Sequence, residues 1–334
     1  MNYREERSAA NFCKKAYADG IERWMAIWQK QAERERAQYI QNVFDEPEIY
    51  RNDLKKMLGK PLTEKREGIP SVRSERLSDE DGYEIYRMHI EILDGLEMTG
   101  LLFKMKGETP RPLVLTVHGG LGSPEHISGI YGSTTNYNDM LQRVIKRNVH
   151  AFAPQLLLWD TKKYAVDYDR KSIDAGLKRV GSSIAALEIY GIQRILDYFE
   201  KQDYVKSFGM IGISYGGFYT LYTAALETRI RSAVSCIYFN QRDAYPYEDW
   251  IWTSSAEKFD DAETACLIYP RKLYIRIADR DPLFDAKGGI AAFEKLKGYC
   301  GKVGTDWVNF AVFEGEHEFL KDDTPIELLV NDLL

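Results

Sequence analysis

The chain has 334 residues, 44% hydrophobic and 29% charged, which is the composition of an ordinary globular protein. Its formal net charge is −6 and no basic block stands out, so nucleic acid is not expected as a partner. No apolar run reaches the roughly 18 residues of a membrane span, and no secretory signal is recognisable. The four cysteines lack Cys-x-x-Cys spacing, as is typical of reduced thiols. We therefore expect a cytoplasmic protein without a membrane partner.

The first part of the chain, residues 1–66, is predicted to be a helical extension ahead of a single larger domain, residues 67–334. Apolar residues recur there at helical spacing and form a stripe, at Phe12, Tyr17, Ile21, Trp24, Met25 and Trp28. We expect this stripe to pack on the main domain. The alternatives are a subunit interface, which would make the protein a homo-oligomer through its N-terminal helices, or a pocket wall. A second, shorter helix is predicted over residues 48–58.

Three strands are predicted next, at residues 71–77, 83–93 and 96–105. Asp94-Gly95 separates the last two and is a strong signal for a hairpin. The second strand alternates polar and apolar residues, as a half-buried antiparallel strand does. This part of the domain should therefore form an antiparallel edge of the sheet.

From residue 112 onward, strands and helices alternate. Apolar, β-branched runs predict strands at 112–117, 149–153, 208–212, 231–238, 273–277 and 307–313. Helical patterns lie between and after them, at 138–148, 183–202, 285–297 and 325–334. This order predicts an α/β protein whose central sheet is mostly parallel, with helices on both faces. The connections 155–182 and 239–270 are not assigned a structure.

One segment of this alternation has the pattern of a nucleophile elbow. Gly212-Ile-Ser-Tyr-Gly216 joins a buried strand to a helix and matches G-x-S-x-G. In such a turn the serine hydroxyl stands above the sheet edge, at the N-terminus of the helix, where negative charge is favoured. Ser214 is therefore the candidate nucleophile.

A serine hydroxyl needs a general base, and the chain has five histidines. His89 and His150 fall inside predicted strands. His317 follows the last predicted strand, so it should emerge at the carboxyl edge of the sheet, where ligands bind in open α/β sheets. We favour His317 as the base.

The acid that orients this base should lie between the serine and the histidine in the sequence. Asp281 follows the strand 273–277, and Pro282 fixes its turn. It is the preferred candidate, with Asp279 or Asp243 as alternatives. Asp285 fits the N-cap of the next helix better.

The oxyanion formed during attack needs backbone N–H donors that are already in place. One is expected from Tyr215, the residue after the nucleophile, and the other from the glycine-rich loop that follows the strand 112–117. Gly120 is the preferred second donor and Leu121 the alternative. His118 is expected to brace this loop by hydrogen bonding.

Four segments carry a family resemblance: His118-Gly-Gly120 after its strand, the elbow Gly212–Gly216, Asp279-Arg-Asp-Pro-Leu-Phe284 and Gly315-Glu-His-Glu-Phe319. Over about residues 70–334 the chain resembles the α/β-hydrolase superfamily, and within it the dienelactone hydrolase and acetyl xylan esterase-like serine hydrolases. The resemblance implies that Ser214, Asp281 and His317 are nucleophile, acid and base. Dienelactone hydrolases proper have a cysteine nucleophile, and related esterases often have glycine where Glu316 stands.

The expected function is hydrolysis of a small-molecule carboxylic ester through an acyl-enzyme on Ser214, with neither metal nor organic cofactor. An acetylated sugar or another short-acyl ester is a candidate substrate. Five residues are candidates for the substrate pocket: Leu121, Trp159, Tyr245, Trp250 and Trp252. Two alternatives stay open, a peptidase or amidase of the same fold and a non-catalytic binding protein on a hydrolase scaffold.

Overall fold

In this computed structural model, which describes residues 1–159, 166–245 and 247–334, nine strands form one sheet in the order β1-β2-β3-β5-β4-β6-β7-β8-β9. The first three strands and β5 pair antiparallel, and all other neighbours pair parallel. The mostly parallel α/β sheet predicted from the sequence is thus confirmed. The strands are β1 (Val72–Asp79), β2 (Tyr83–Leu93), β3 (Leu96–Met105), β4 (Arg111–Val117), β5 (His150–Pro154), β6 (Val205–Ile213), β7 (Ile230–Cys236), β8 (Lys272–Ala278) and β9 (Val308–Phe313).

The predicted hairpin between β2 and β3 forms at Asp94-Gly95. Leu93 pairs with Leu96 across a two-residue turn, and Gly95 has φ 72°. Glycine adopts such a left-handed conformation without steric cost, which explains its place in this turn.

Helices cover both faces of the sheet because the strand residues alternate between two hydrophobic clusters. Leu113 and Leu115 of β4 belong to the cluster shared with α2, α6, α7, α8 and α9, and Val114 to the one shared with α3, α4 and α10. Two helices, α5 and α8, lie in connections that the sequence left unassigned. The helices are α1 (Arg7–Tyr39), α2 (Pro47–Leu58), α3 (Pro124–Ile127), α4 (Met140–Ile145), α5 (Arg170–Arg179), α6 (Ile184–Phe199), α7 (Tyr215–Leu226), α8 (Asp261–Cys266), α9 (Ala286–Tyr299) and α10 (Thr324–Leu333).

The long helix α1 corrects one expectation. Only Ala32 and Arg36 of this helix are buried, and the apolar stripe predicted to pack on the main domain is exposed: Trp24 and Trp28 are 56% and 59% accessible. The body offers α1 a docking site only for its last turns, so the earlier turns have no surface to cover them. Neither α1 nor any other helix of the described part is apolar enough to cross a membrane.

Candidate active site

Ser214 lies in a strained turn between β6 and α7. Its φ of 57° and ψ of −122° are unusual for a residue with a side chain. A Cβ on Gly212 would collide with the carbonyl oxygen of Gly216, and a Cβ on Gly216 would collide with that of Val117. The two flanking glycines are therefore required by close backbone contacts, which leave the Ser214 side chain at the end of the strand.

Ser214, His317 and Asp281 lie in one chain of hydrogen bonds. The Ser214 Oγ is 3.0 Å from His317 Nε2, and His317 Nδ1 is 3.0 Å and 3.1 Å from the two carboxylate oxygens of Asp281. A carboxylate only accepts, so Nδ1 donates to it and Nε2 is left as the acceptor for the serine hydroxyl. This is the arrangement in which an imidazole can take the proton of a serine.

Among the acids considered from the sequence, Asp281 is the one that contacts His317. Its side chain is buried and also accepts hydrogen bonds from the backbone N–H groups of Leu283 and Phe284. Asp279 instead accepts from the Gly315 N–H at 2.9 Å.

The other two acids have different surroundings. Asp285 caps α9 by accepting from the N–H of Lys287, as expected for an N-cap residue. Asp243 lies in a single 3₁₀ turn, Arg242–Ala244.

The loop that carries His317 is held by a residue from a distant part of the chain. Asn136 donates from its side chain to the His317 carbonyl oxygen at 3.0 Å, and its own carbonyl accepts from the Phe319 N–H at 2.7 Å. These two bonds fix the backbone on both sides of the turn. The histidine is thus positioned by the loop after β4 as well as by Asp281.

The expected oxyanion donors lie beside Ser214. The N–H of Tyr215 is in the first turn of α7 and so has no acceptor within the helix. The N–H of Gly119 donates to the Tyr137 Oη at 3.1 Å, which braces the loop. The neighbouring N–H of Gly120 is then the one suited to face a substrate, while Leu121 has φ 58° and a largely exposed side chain.

His118 lies at the base of this loop and is fully buried. Its Nε2 accepts from the Leu156 N–H at 3.1 Å, so Nδ1 carries the proton and donates to the Gly119 carbonyl at 2.9 Å. Burial lowers the pKa of His118 to about 4, so the ring stays neutral. These contacts are those of a bracing residue, the role that the sequence suggested.

A buried ionic network lies behind Tyr215. Its hydroxyl donates to Asp249 at 3.1 Å, and Asp249 pairs with Arg170 of α5 at 3.0 Å. Arg170 also lies 3.7 Å from Glu188 of α6, which accepts from the Leu157 N–H at 2.6 Å. Burial raises the pKa of Glu188 above its usual value. The network ties the elbow to the segment after β5.

The residues predicted to line the pocket divide into two groups. Leu121 and Trp159 line a large cavity beside the oxyanion loop, and Trp159 packs on Tyr215 with ring centroids 4.9 Å apart. Trp250 is buried between Tyr215 and Phe284. Trp252 is buried against Phe218 and Tyr222. Tyr245 packs on Phe284 and accepts from the Asp285 N–H. None of these three lines that cavity.

Sequence reasoning missed the residues that support the site rather than form it. Asn136, Tyr137 and Arg170 belong to loops and a helix whose positions depend on tertiary contacts. For Asn136 and Tyr137, one available signal was the length and high polar content of the segment between β4 and α4.

No model of a known protein family matches the chain, and no curated protein matches it. Several solved structures do. A glucuronoyl esterase from Solibacter usitatus has a TM-score of 0.63 at 14% identity, over 86% of this chain and 91% of that one. Acetyl xylan esterase 1 from a Thermoanaerobacterium species has a TM-score of 0.56 at 16% identity, over 87% of this chain and 93% of that one. A cold-adapted esterase from an Arctic intertidal metagenomic library has a TM-score of 0.55 at 18% identity, over 79% of this chain and 100% of that one.

These similarities concern the fold, and the fold is that of the α/β-hydrolases. The mixed sheet, the strand-turn-helix at Ser214 and the helices on both faces are its defining parts. The named neighbours are all esterases.

Proposed function

We propose that the protein is a carboxylic ester hydrolase that forms an acyl-enzyme on Ser214. One observation carries this proposal: the imidazole of His317 bridges Ser214 and Asp281. Its Nε2 lies 3.0 Å from the Ser214 Oγ, and its Nδ1 lies 3.0 Å from a carboxylate oxygen of Asp281. The esterase names of the structural neighbours support the same reaction class.

The proposed reaction has two steps, formation of the acyl-enzyme and its hydrolysis. His317 removes the proton of Ser214 as Oγ attacks the acyl carbon, and Asp281 stabilises the imidazolium that forms. The N–H groups of Tyr215 and Gly120 hold the negative oxygen. His317 then protonates the departing alcohol. A water molecule, deprotonated by the same histidine, attacks the acyl-enzyme and releases the acid, which restores Ser214.

The test combines covalent labelling with turnover. A fluorophosphonate probe should label wild type at Ser214 and fail to label Ser214→Ala, which should also lose p-nitrophenyl acetate hydrolysis by about a thousandfold or more. Ser78→Ala, on the edge strand β1, is the control and should behave like wild type. An unlabelled wild type, or a fully active Ser214→Ala, would contradict the proposal.

The peptidase or amidase alternative is decided by the leaving group. We expect the p-nitrophenyl ester of a given acid to turn over and the matching p-nitroanilide to turn over far more slowly. Comparable rates on both compounds would favour the amidase.

A further inference from the structure

A cavity of about 1250 Å³ lies beside the candidate active site. It is bordered by the β2–β3 hairpin, the loop after β4, the segment after β5, and helices α5 and α6. Its volume exceeds the roughly 300–1,000 Å³ of most small-molecule sites, so it has room for a large group. Apolar side chains from all of these elements line it, including Met98, Leu121, Trp159, Ile173, Leu177 and Leu187.

The oxyanion loop separates this cavity from the nucleophile. A Cβ on Gly119 would lie 3.0 Å from the Cβ of Ser214, whereas a Cβ on Gly120 would lie 3.4 Å from the Trp159 ring. The next two residues, Leu121 and Gly122, line the cavity itself. When the carbonyl carbon of an ester lies at Ser214, its acyl or alcohol part therefore has to extend past only the oxyanion loop to enter the cavity.

The cavity offers no free charge among its described lining residues. None of these is Lys or Arg, and burial lowers the pKa of the one histidine among them, His126, which favours its neutral form. Its three acids all have partners: Glu188 lies in the Arg170 network, and the other two form ion pairs (Glu97 with Arg73 at 2.7 Å, Glu125 with Arg87 at 3.0 Å). An anionic group would find no cation in the lining, and its desolvation would be costly.

On the basis of the esterase function proposed above, we infer that the natural ester carries a large, uncharged and mainly apolar group, which binds in this cavity. Burying one methylene contributes a factor of about four to an equilibrium. If the cavity binds the group in the transition state, each added carbon raises kcat/KM, because kcat/KM reports transition-state binding. The inference therefore points away from a small acetyl ester of a polar sugar.

Two substrate series test the inference. In the first series, the acyl chain of a p-nitrophenyl ester is lengthened from acetate to octanoate. In the second series, the acyl group stays acetyl and the linear alcohol is lengthened. We expect kcat/KM to rise by about tenfold or more along at least one series before it levels off. A carboxylate at the chain end should remove that gain. If acetate is the best substrate in both series, the inference fails, although labelling of Ser214 would still stand.

A variant pair makes the test specific. Leu177→Arg places a cation in the cavity lining and should lower the octanoate-to-acetate ratio of kcat/KM by about tenfold. Ala175→Arg, exposed on the same helix and outside the lining, should leave that ratio unchanged. Equal ratios in Leu177→Arg and wild type would overturn the inference.

A second and independent observation concerns α1. Its last turns are anchored to the body by Arg36, which pairs with Asp260 at 3.3 Å and Glu263 at 3.2 Å. The turns before Ala32 have no buried residue. They carry two tryptophans whose rings lie 5.8 Å apart. Exposed aromatic rings in such a row mark an interaction surface.

The spacing of this row identifies the kind of partner. Tyr17, Ile21, Trp24 and Trp28 recur at alternating steps of four and three residues, which is the seam of paired helices. Together with their neighbours Met25 and Ile27, these residues are each half or more exposed. Their exposed surface is on the order of 700 Å², close to the ~800 Å² that each partner buries in a standard interface. The surface is therefore large enough for a stable dimer.

We propose that this seam pairs with the same seam of a second copy of the chain. An antiparallel two-fold pairing, the isologous arrangement of most dimers, sets Tyr17 opposite Trp28 and Ile21 opposite Trp24. Every apolar residue of the seam then meets another apolar residue. The surface is complementary to itself, so no other protein is required to cover it.

Molar mass by light scattering tests this pairing. The full chain should have twice its 38.6 kDa mass at micromolar concentration. Trp24→Glu combined with Trp28→Glu should be a monomer with an unchanged circular dichroism spectrum, because both side chains are exposed in the monomer. Ala26→Glu combined with Lys30→Glu, on the opposite side of α1, should stay a dimer. A monomeric wild type overturns the proposal, as does a monomer that binds lipid vesicles through this helix.

Discussion

The phenolic oxygen of Tyr137 accepts a hydrogen bond from the backbone N–H of Gly119 at 3.1 Å. Tyr137 is buried, and burial raises the pKa of its hydroxyl, so it stays neutral. This contact fixes the glycine loop one residue before the N–H of Gly120. The proposed oxyanion site therefore depends on a side chain that is not itself expected to touch the substrate.

Tyr137→Phe removes the acceptor for the Gly119 N–H and leaves a buried donor unpaired. We expect kcat to fall by about ten- to hundredfold with KM little changed, because the loop loses its position while the cavity keeps its lining. Steady-state kinetics with p-nitrophenyl esters checks this. Tyr198→Phe, on α6, is the control. A fall in stability with kcat intact would show that Tyr137 only supports the fold.

Gly122→Ala should produce the same kinetic effect by a different route. A Cβ at this position would collide with the Tyr137 hydroxyl, which would have to move away from Gly119. Gly176→Ala, on α5, meets nothing within 4 Å and serves as the matched control. We expect kcat to fall in Gly122→Ala and to stay at the wild-type value in Gly176→Ala. Unchanged kcat in Gly122→Ala would mean that the bond between Tyr137 and Gly119 is dispensable.

Asp281→Asn should lower kcat by about a thousandfold or more, because an amide can hold the imidazole of His317 in the wrong tautomer and cannot stabilise the imidazolium. Asp279→Asn is the control, since Asp279 contacts the Gly315 N–H and not the histidine. It should keep kcat within about threefold of wild type. The measurement is kcat on p-nitrophenyl acetate. The reverse ranking of the two variants would assign the acid to Asp279.

Arg170→Met should lower the free energy of unfolding by about 3 kcal/mol or more. The substitution leaves the buried carboxylate of Glu188 and the partly buried carboxylate of Asp249 without their cation. Arg179→Met changes the exposed last turn of the same helix and should cost less than about 1 kcal/mol. Urea denaturation at neutral pH measures both. Equal and small losses would indicate that the network contributes little to stability.

His150 gives a pH-dependent prediction. Burial lowers its pKa to about 4, and its ring bonds the Met105 N–H and the Tyr204 carbonyl as a neutral imidazole. Below pH ~6.5 the unfolded chain takes up a proton that the folded chain refuses until about pH 4, so wild type loses stability as the pH falls through this window. His150→Gln has no such proton.

The stability difference between wild type and His150→Gln should therefore shrink by up to about 3 kcal/mol between pH ~7 and ~4. The comparison is made by urea denaturation of both proteins at each pH, so contributions from other titrating groups cancel. A difference that is constant with pH would show that the folded protein accommodates a charged His150.

The features that could be predicted from the sequence are those set by short-range physics. The elbow at Ser214 is dictated by two glycines that lie against backbone, and the order of serine, acid and histidine follows from the ends of three strands. The hairpin at Asp94-Gly95 is equally local.

Other features depend on contacts between residues far apart in the sequence. Helix α5 is tied in place by Arg170, whose partner Asp249 lies in a different connection. No period or turn signal encodes such a pair. The exposure of Trp24 could not be predicted either, because an apolar stripe has the same pattern whether the body or a second chain covers it.

The short segment 134–138 holds both Tyr137 and Asn136, and through them the glycine loop and the turn of His317. A single local opening there would displace both the proposed general base and the proposed oxyanion site, while the sheet remained intact. Heat should therefore inactivate the enzyme before it melts the protein. The difference between the inactivation temperature and the unfolding temperature then reports how stable this segment is against local opening.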